Sequence, residues 1–277
     1  CRWRHNPMTG EQLNQGDPGR VVTDNPAVAV ETALEQTAAR YYDPSRHRFD
    51  YGAAAVSEEY GALRRTADAL ADVNPDLIPD PPAAIAFWIN LYNLLTLHIV
   101  LAGPIAASVR ERDDFFTGPY YRVAGQALSL DAIEHGILRG NARRYMGLKP
   151  LFSPGDPRLH WSLRTVDPRI HFVLHTATLS SPPLVALPTD RVDTVLENAT
   201  RKQLAATVEV DQAGGTTRLP RLFRWYTGDF GASIDDALAF IRQRLDDDRA
   251  DALMHEDINI EFHPFDWRLN DRRVAPD

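Results

Sequence analysis

The sequence predicts an α+β fold in which N-terminal helices, one of them a buried central helix, pack on a largely antiparallel sheet. Three observations carry this. Apolar residues recur at helical spacing early in the chain, as at Val28, Thr32, Leu34 and Tyr41. One long apolar run, Ile85 to Leu101, follows, and short alternating segments with glycine turns come after it. Helices first and antiparallel strands later favour α+β over a doubly wound sheet, whose strands would alternate regularly with helices.

The first helix is expected from Ala27 to Tyr42 and the second from about Ser57 to Val73, ended by the Pro75 to Pro82 segment. Within Ile85 to Leu101, long enough to raise the question of a membrane span, Asn90, Asn93 and Thr96 form one narrow stripe at about 100° per residue. Trp88, Leu91, Leu94, Leu95 and Ile99 cover the rest of the circumference, the pattern of a core helix with a polar seam. Tyr120 to Val123 and Ala127 to Ser129 read as a hairpin turning at Ala124-Gly125-Gln126, and Ser129 then caps a helix running through Arg139. Ile170 to His175 reads as a short strand, and Thr189 or Asp190 starts a further helix. Ala206 to Val210 pairs with Thr216 to Leu219 across Ala213-Gly214-Gly215. Ser233 to Leu245 is a helix, and Ile258 to His263 is a strand with one apolar face. Asp266, Trp267 and Asn270 are expected to lock the C-terminal end.

With 277 residues, 44% hydrophobic and 25% charged, the chain has enough apolar material for one sizeable core. A flexible arm over residues 1–25 and a single globular domain over 26–277 are expected, since the first segment is polar and without apolar periodicity. The 30 basic residues are scattered and outnumbered by 38 acidic ones, a net charge of -8 that argues against a nucleic-acid partner. Cys1 is the single cysteine, which excludes an internal disulfide, a cysteine zinc cluster and a two-cysteine redox motif. A lipid tether at Cys1, in an extracytoplasmic form, is one reading; Arg2-Trp3-Arg4-His5 is an unusual start for it, so a soluble cytoplasmic form without a transmembrane span is favoured.

Four segments, in this order and spacing, resemble the domain of unknown function 547 family: Phe87-Trp88-Ile89-Asn90-Leu91-Tyr92-Asn93; Leu128-Ser129-Leu130 leading into Ile133-Glu134-His135-Gly136-Ile137-Leu138-Arg139; Asp167-Pro168-Arg169-Ile170-His171-Phe172; and Phe265-Asp266-Trp267-Arg268-Leu269-Asn270. The resemblance covers roughly residues 49–270 and implies fold more than function. Where the family commonly has Asn-Cys-Gly followed by Ser-Cys-Pro-Pro, this chain has His175-Thr176-Ala177 and Ser180-Ser181-Pro182-Pro183. Both cysteines are replaced, by Thr176 and Ser181, so a thiolate mechanism in relatives would not carry over, a hydroxyl without a base being a much weaker nucleophile.

Candidate catalytic residues are Glu134, His135, His171 and Ser181; candidate ligand-binding residues are Asn90, Asn93, Arg169 and His175. Glu134 falls in the apolar arc of its helix and must find a partner or a proton, for which Arg169 is the expected cation. On the expected strand, Arg169, His171 and His175 share a face. His171 and His175 would then lie about 13 Å apart at roughly 3.3 Å per residue, too far to bind one metal, so no metal site and no cofactor are expected. Two functional readings stay open. One is a hydrolase or acyltransferase derivative acting on a small molecule or peptide, with Ser181 as nucleophile and His135 or His171 as base. The other is a noncatalytic binding or scaffold module, in which Ser181-Pro182 is a cap or turn and Asn90 and Asn93 satisfy neighbouring backbone.

Overall fold

The computed structural model describes residues 10–16, 25–78, 81–145, 147–211, 215–254 and 259–274. Cys1, Ala213, Gly214 and Ile258, to which expectations were attached above, lie outside them.

Asn25 opens helix α1 (Pro26–Tyr41): its side chain accepts the Val28 amide and Pro26 takes the first position, where no amide is needed. A hairpin of β1 (Tyr42–Asp43) and β2 (Arg48–Phe49) turns at His47, whose φ is 53°. Asp50 and Ser57 then cap α2 (Tyr51–Ala54) and α3 (Glu58–Ala69). Helix α4 (Pro81–Ala102) begins before Ile85 because Pro81 and Pro82 suit a first helical turn. Every residue from Ala86 to Val100 is buried. The helix is long and apolar enough to cross a membrane by composition, but 83% of its most apolar window lies inside the protein, the signature of a core helix.

Strands β3 (Tyr120–Val123) and β4 (Gln126–Ser129) pair antiparallel. Their two-residue turn, Ala124-Gly125, has φ 47° and 75°, the handedness that matches the twist of a hairpin. Ser129 Oγ accepts the Ala132 amide at 3.3 Å and launches the expected helix, which is a π-helix over Ala132–Leu138. Its wider turn is visible in Arg139 N donating to Glu134 O at 2.8 Å and Asn141 N to Gly136 O at 3.1 Å. Gly136 is required here, since a Cβ would stand 2.2 Å from the Phe152 ring.

The expected strand over Ile170 to His175 is not formed. Asp167 and Pro168 open a 3-10 helix over Pro168–Phe172, the Asp167 side chain accepting the Arg169 amide at 3.0 Å. An N-cap followed by proline is a helix start, and that local signal prevails over the apolar alternation. Arg169, His171 and His175 therefore do not share one face.

Helix α5 (Val192–Thr207) leads to β5 (Glu209–Asp211) and β6 (Thr216–Leu219). Short helices α6 (Leu222–Trp225) and α7 (Thr227–Phe230) precede α8 (Ile234–Arg242), closed by a Ser233–Asp236 capping box, then α9 (Asp247–Ala252) and β7 (Asn259–Phe262). The α+β class holds, with the strands distributed over small separate sheets. β6 pairs antiparallel with β5 and parallel with β7, and the other two sheets are antiparallel hairpins.

The main core surrounds α4; a smaller one gathers Phe172, Leu204, Leu219, Phe223, Phe230 and Ile241. Isolated bridges tie the C-terminal segment back to the main core, Thr178 to Leu269 and Phe49 to Asp271. Within the expected arm, residues 10–16 are anchored: buried Asn14 donates to Ala67 O and Arg122 O, both at 2.9 Å, and accepts from Arg122 N at 2.7 Å.

Candidate functional site

A polar cluster lies where the two cores meet, between the π-helix, the 3-10 helix at 168–172, and α6 and α7. The π-helix supplies Glu134 and His135, with Asp131 before it and Arg139 after it. His171 comes from the 3-10 helix, Asp229 from α7, and Tyr226 from the junction of α6 and α7. Asp131, Glu134, His135, Arg139 and His171 are each only 5–6% exposed, so charged and polar groups are packed together nearly closed off from solvent.

The hydrogen bonds fix the protonation pattern. Arg139 grips both oxygens of Asp229, through Nε at 2.5 Å and Nη2 at 2.8 Å, and His171 Nε2 donates to the same carboxylate at 2.7 Å. These two donors hold Asp229 down at about 2 although burial alone would raise it. Arg139 Nη1 also donates to His135 Nδ1 at 2.8 Å, so that nitrogen accepts and the neutral ring carries its proton on Nε2. Burial, with Arg139 and Arg144 nearby, keeps His135 below its ordinary value against the pull of Glu134.

Glu134 does not meet Arg169. Its Oε2 accepts from Tyr92 OH at 3.3 Å and it also accepts a hydrogen bond from Tyr226, while Oε1 stands 3.9 Å from His135 Nδ1, two acceptors in contact without a bond. Burial opposes its charge, but His135, His171, Tyr226 and Arg139 together hold the carboxyl below the usual range. Arg169 instead pairs with Asp167 at 2.8 Å and Asp193 at 2.7 Å, binding the 3-10 helix to α5. The expected Glu134–Arg169 pair fails because Arg169 is spent by the carboxylate that caps its own helix. Asp131, 3.8 Å from His135 Nε2 and paired with Arg144, is pushed up to about 7, burial outweighing that cation. The His171 ring stacks on Tyr226, centroids 3.9 Å apart at 20°, and the Arg139 guanidinium lies 4.8 Å from the Tyr226 ring centroid.

Ser181 stands apart from this cluster. Its hydroxyl donates to Thr178 O at 2.8 Å and accepts from Thr178 N at 3.3 Å, closing a turn. Its histidine is His175, at 3.2 Å, rather than His135 or His171. His175 is fully buried and held at about 3 by that burial, with His47 close by. Its Nδ1 lies 2.7 Å from Pro182 O and so carries a proton that it donates there. Asn270 reaches the other ring nitrogen at 3.5 Å and accepts from Tyr51 OH at 2.7 Å. The β1–β2 hairpin covers this pocket: His47 Nε2 donates to Thr178 O at 3.0 Å and Tyr42 OH donates to His47 Nδ1 at 2.7 Å.

Asn90 and Asn93 serve the backbone between these two places. Asn90 exchanges two hydrogen bonds of 2.8 Å with Leu187. Asn93 accepts from His175 N at 2.8 Å and donates to Val173 O at 3.0 Å and Val185 O at 3.3 Å. Thr96, third in the seam, has a buried hydroxyl without a hydrogen-bond partner among the described residues.

The structure thus brings together Glu134, His135 and His171, and separately His175 and Ser181. The residues that complete the first cluster and that sequence reasoning missed are Asp131, Arg139, Tyr92, Tyr226 and Asp229. Arg139 and Tyr92 sit inside segments already singled out, whereas Tyr226 and Asp229 carry no local signal. Among the described residues no group of three or more His, Cys, Asp or Glu is arranged to hold a metal ion.

No curated protein and no solved structure matches the chain at a significant level. A family model does match: residues 80–204, which contain α4, the π-helix and the turn at Ser181, fit the family described as "Protein of unknown function, DUF547".

Proposed function

We propose that the chain is a binding module on the family's fold, taking a small polar molecule or a peptide end at the Glu134–His135–His171 cluster, without acyl transfer through Ser181. The observation that carries this is the destination of two protons. Ser181 Oγ donates to Thr178 O, and His175 Nδ1 donates to Pro182 O. The imidazole nearest the hydroxyl therefore offers it no free base, and a serine without one is a weak nucleophile. The cluster itself supports binding, because a π-helix and concentrated buried charges recur at functional sites.

The test is labelling with a fluorophosphonate probe together with a panel of p-nitrophenyl esters, run on the wild type and Ser181→Ala. Neither labelling nor Ser181-dependent turnover is expected. Ester hydrolysis that vanishes in a folded Ser181→Ala variant would overturn the proposal. For binding, dipeptides and small carboxylates are screened by thermal shift, and hits are expected to be lost in His135→Asn.

A second reading has its own support. Asp131, at about 7, sits beside His135 Nε2, a carboxyl poised to exchange a proton near neutral pH. Acid–base chemistry on a bound ligand would then depend on Asp131, and Asp131→Asn would abolish it while leaving Ser181→Ala active.

A further inference from the structure

Three half-buried aromatic rings pack against one another in a triangle, Trp225 and Trp267 standing 5.8 Å apart. Trp225 and Phe265 have centroids 5.0 Å apart, and Phe265 and Trp267 are 4.5 Å apart. Phe265 and Trp267 line an open groove of about 460 Å³ whose other walls include Ser108, Arg110 and Arg268. Each ring keeps part of its surface open to solvent, and aromatic rings gathered beside a groove offer a ligand ring a contact surface.

Charge narrows the ligand. Arg110 is exposed, its guanidinium 4.6 Å from the Trp267 ring centroid, and it makes no ion pair among the described residues. Asp266, the carboxylate in the groove wall, is taken by Arg268 through Nη2 at 2.6 Å and Nε at 3.0 Å. In a chain of net charge -8, the groove therefore presents apolar ring faces beside one uncompensated cation. Backbone recognition is closed off. The carbonyls of Asp266, Trp267 and Arg268 accept from Ser180 N, Ser108 Oγ and Leu179 N, and the amides of Asp266, Arg268 and Leu269 donate within the fold. An extended peptide adding as a strand would find few free partners there.

We infer that this groove binds a small ring-bearing molecule with a single negative group, its ring against Trp267 and Phe265 and its carboxylate on Arg110. The groove volume falls within the range of small-molecule sites.

The probe pair is 2-naphthoate and its neutral isostere 2-naphthamide, titrated calorimetrically into the full chain. Naphthoate is expected to bind saturably at up to millimolar concentration and about tenfold more tightly than the amide, the worth of one charge-assisted hydrogen bond. Arg110→Gln, an exposed change that spares the fold, is expected to make the two probes equal; Trp267→Ala is expected to lose both; His135→Asn, in the separate buried cluster, is expected to change neither. Equal affinity for both probes in the wild type, binding unaltered by Arg110→Gln, or no saturable binding would each overturn the inference.

Discussion

His175 Nδ1 and Ser181 Oγ stand 3.2 Å apart, and each sends its hydrogen to a backbone carbonyl of the loop that carries it. A short histidine–serine distance is thus compatible with a purely structural pair. Removing the hydroxyl leaves the Thr178 amide without its partner, while the Thr178 carbonyl keeps His47 Nε2 and Ser181 N, so Ser181→Ala is expected to cost about 1–2 kcal/mol, the usual loss for a buried hydrogen-bonded hydroxyl. Urea unfolding measures it, and a variant as stable as the wild type would mean that the turn is held by something else.

Ala177 lies in the same loop with φ 59°, a left-handed conformation that favours glycine. The position is where the resembled family commonly has glycine. Its carbonyl accepts from Asn270 N at 3.0 Å, which keeps the strained geometry in place. Ala177→Gly is expected to raise stability by about 0.5–1 kcal/mol, read as an increased denaturation midpoint; a lowered midpoint would show that the methyl group's packing outweighs the strain.

Asp229 is the joint of the polar cluster, holding Arg139 and His171 at once. Asp229→Asn leaves a buried guanidinium without its carboxylate and is expected to cost about 3–5 kcal/mol. Because its folded value is depressed to about 2 from 3.8, the stability Asp229 contributes is complete above about pH 4 and is lost as pH falls toward 2. Unfolding measured across that interval should fall less steeply in the variant. An unchanged acid limb would remove Asp229 from the account.

How much of this was legible depends on the distance over which each signal acts. Asn25-Pro26, Ser57 and Ala124-Gly125 are local cap and turn chemistry, and α1, α3 and the β3–β4 hairpin follow them. The stripe of Asn90 and Asn93 identified a buried helix with a polar seam, though its partners, in the loop from Val173 to Leu187, were not readable. The strand over Ile170 to His175 misled because an alternation of apolar and polar residues was present by composition, while Asp167-Pro168 decided the backbone. Glu134, His135 and His171 could be picked out as reactive types on an apolar background. Asp229 could not, since it reaches Arg139 from 90 residues away in sequence. The π form of the helix, with Gly136 fitted beneath Phe152, is likewise something that a single helix period does not encode.

Two of the buried histidines make a calculable contribution to the response to mild acid. Burial holds His98 at about 4 and His175 at about 3, while in the unfolded chain both take up a proton near 6.5. The unfolded state therefore binds more protons below about pH 6.5, and stability falls as pH drops until about 4 for His98 and about 3 for His175. The slope is about 1.4 kcal/mol per pH unit for each ring. His98→Gln, which preserves an acceptor for Tyr121 OH, now 2.8 Å from the ring, is expected to remove one such increment between about pH 6 and 4.5. Parallel pH profiles of the two proteins would contradict a neutral, buried His98.

Asn93 makes the most concentrated prediction about the loop that carries His175 and Ser181. One carboxamide serves the amide of His175 and the carbonyls of Val173 and Val185, so the start and the end of that loop are tied to the same turn of α4. Asn93→Ala leaves two buried backbone groups and the half-buried Val185 carbonyl without this partner, and at about 1–3 kcal/mol for each buried group, incompletely additive, a loss of about 2–5 kcal/mol is expected. Asn93→Asp should fare no better: a carboxylate still accepts from His175 N but has no hydrogen for either carbonyl, and its charge is buried without a cation. Asn90→Ala, which frees only Leu187, is expected to cost less. Hydrogen exchange separates a loop effect from global loosening. In Asn93→Ala the amides of His175 and its neighbours should exchange faster than those of α1 and α3, and if protection instead falls evenly across the chain, the side chain acts through the helix and not through the loop.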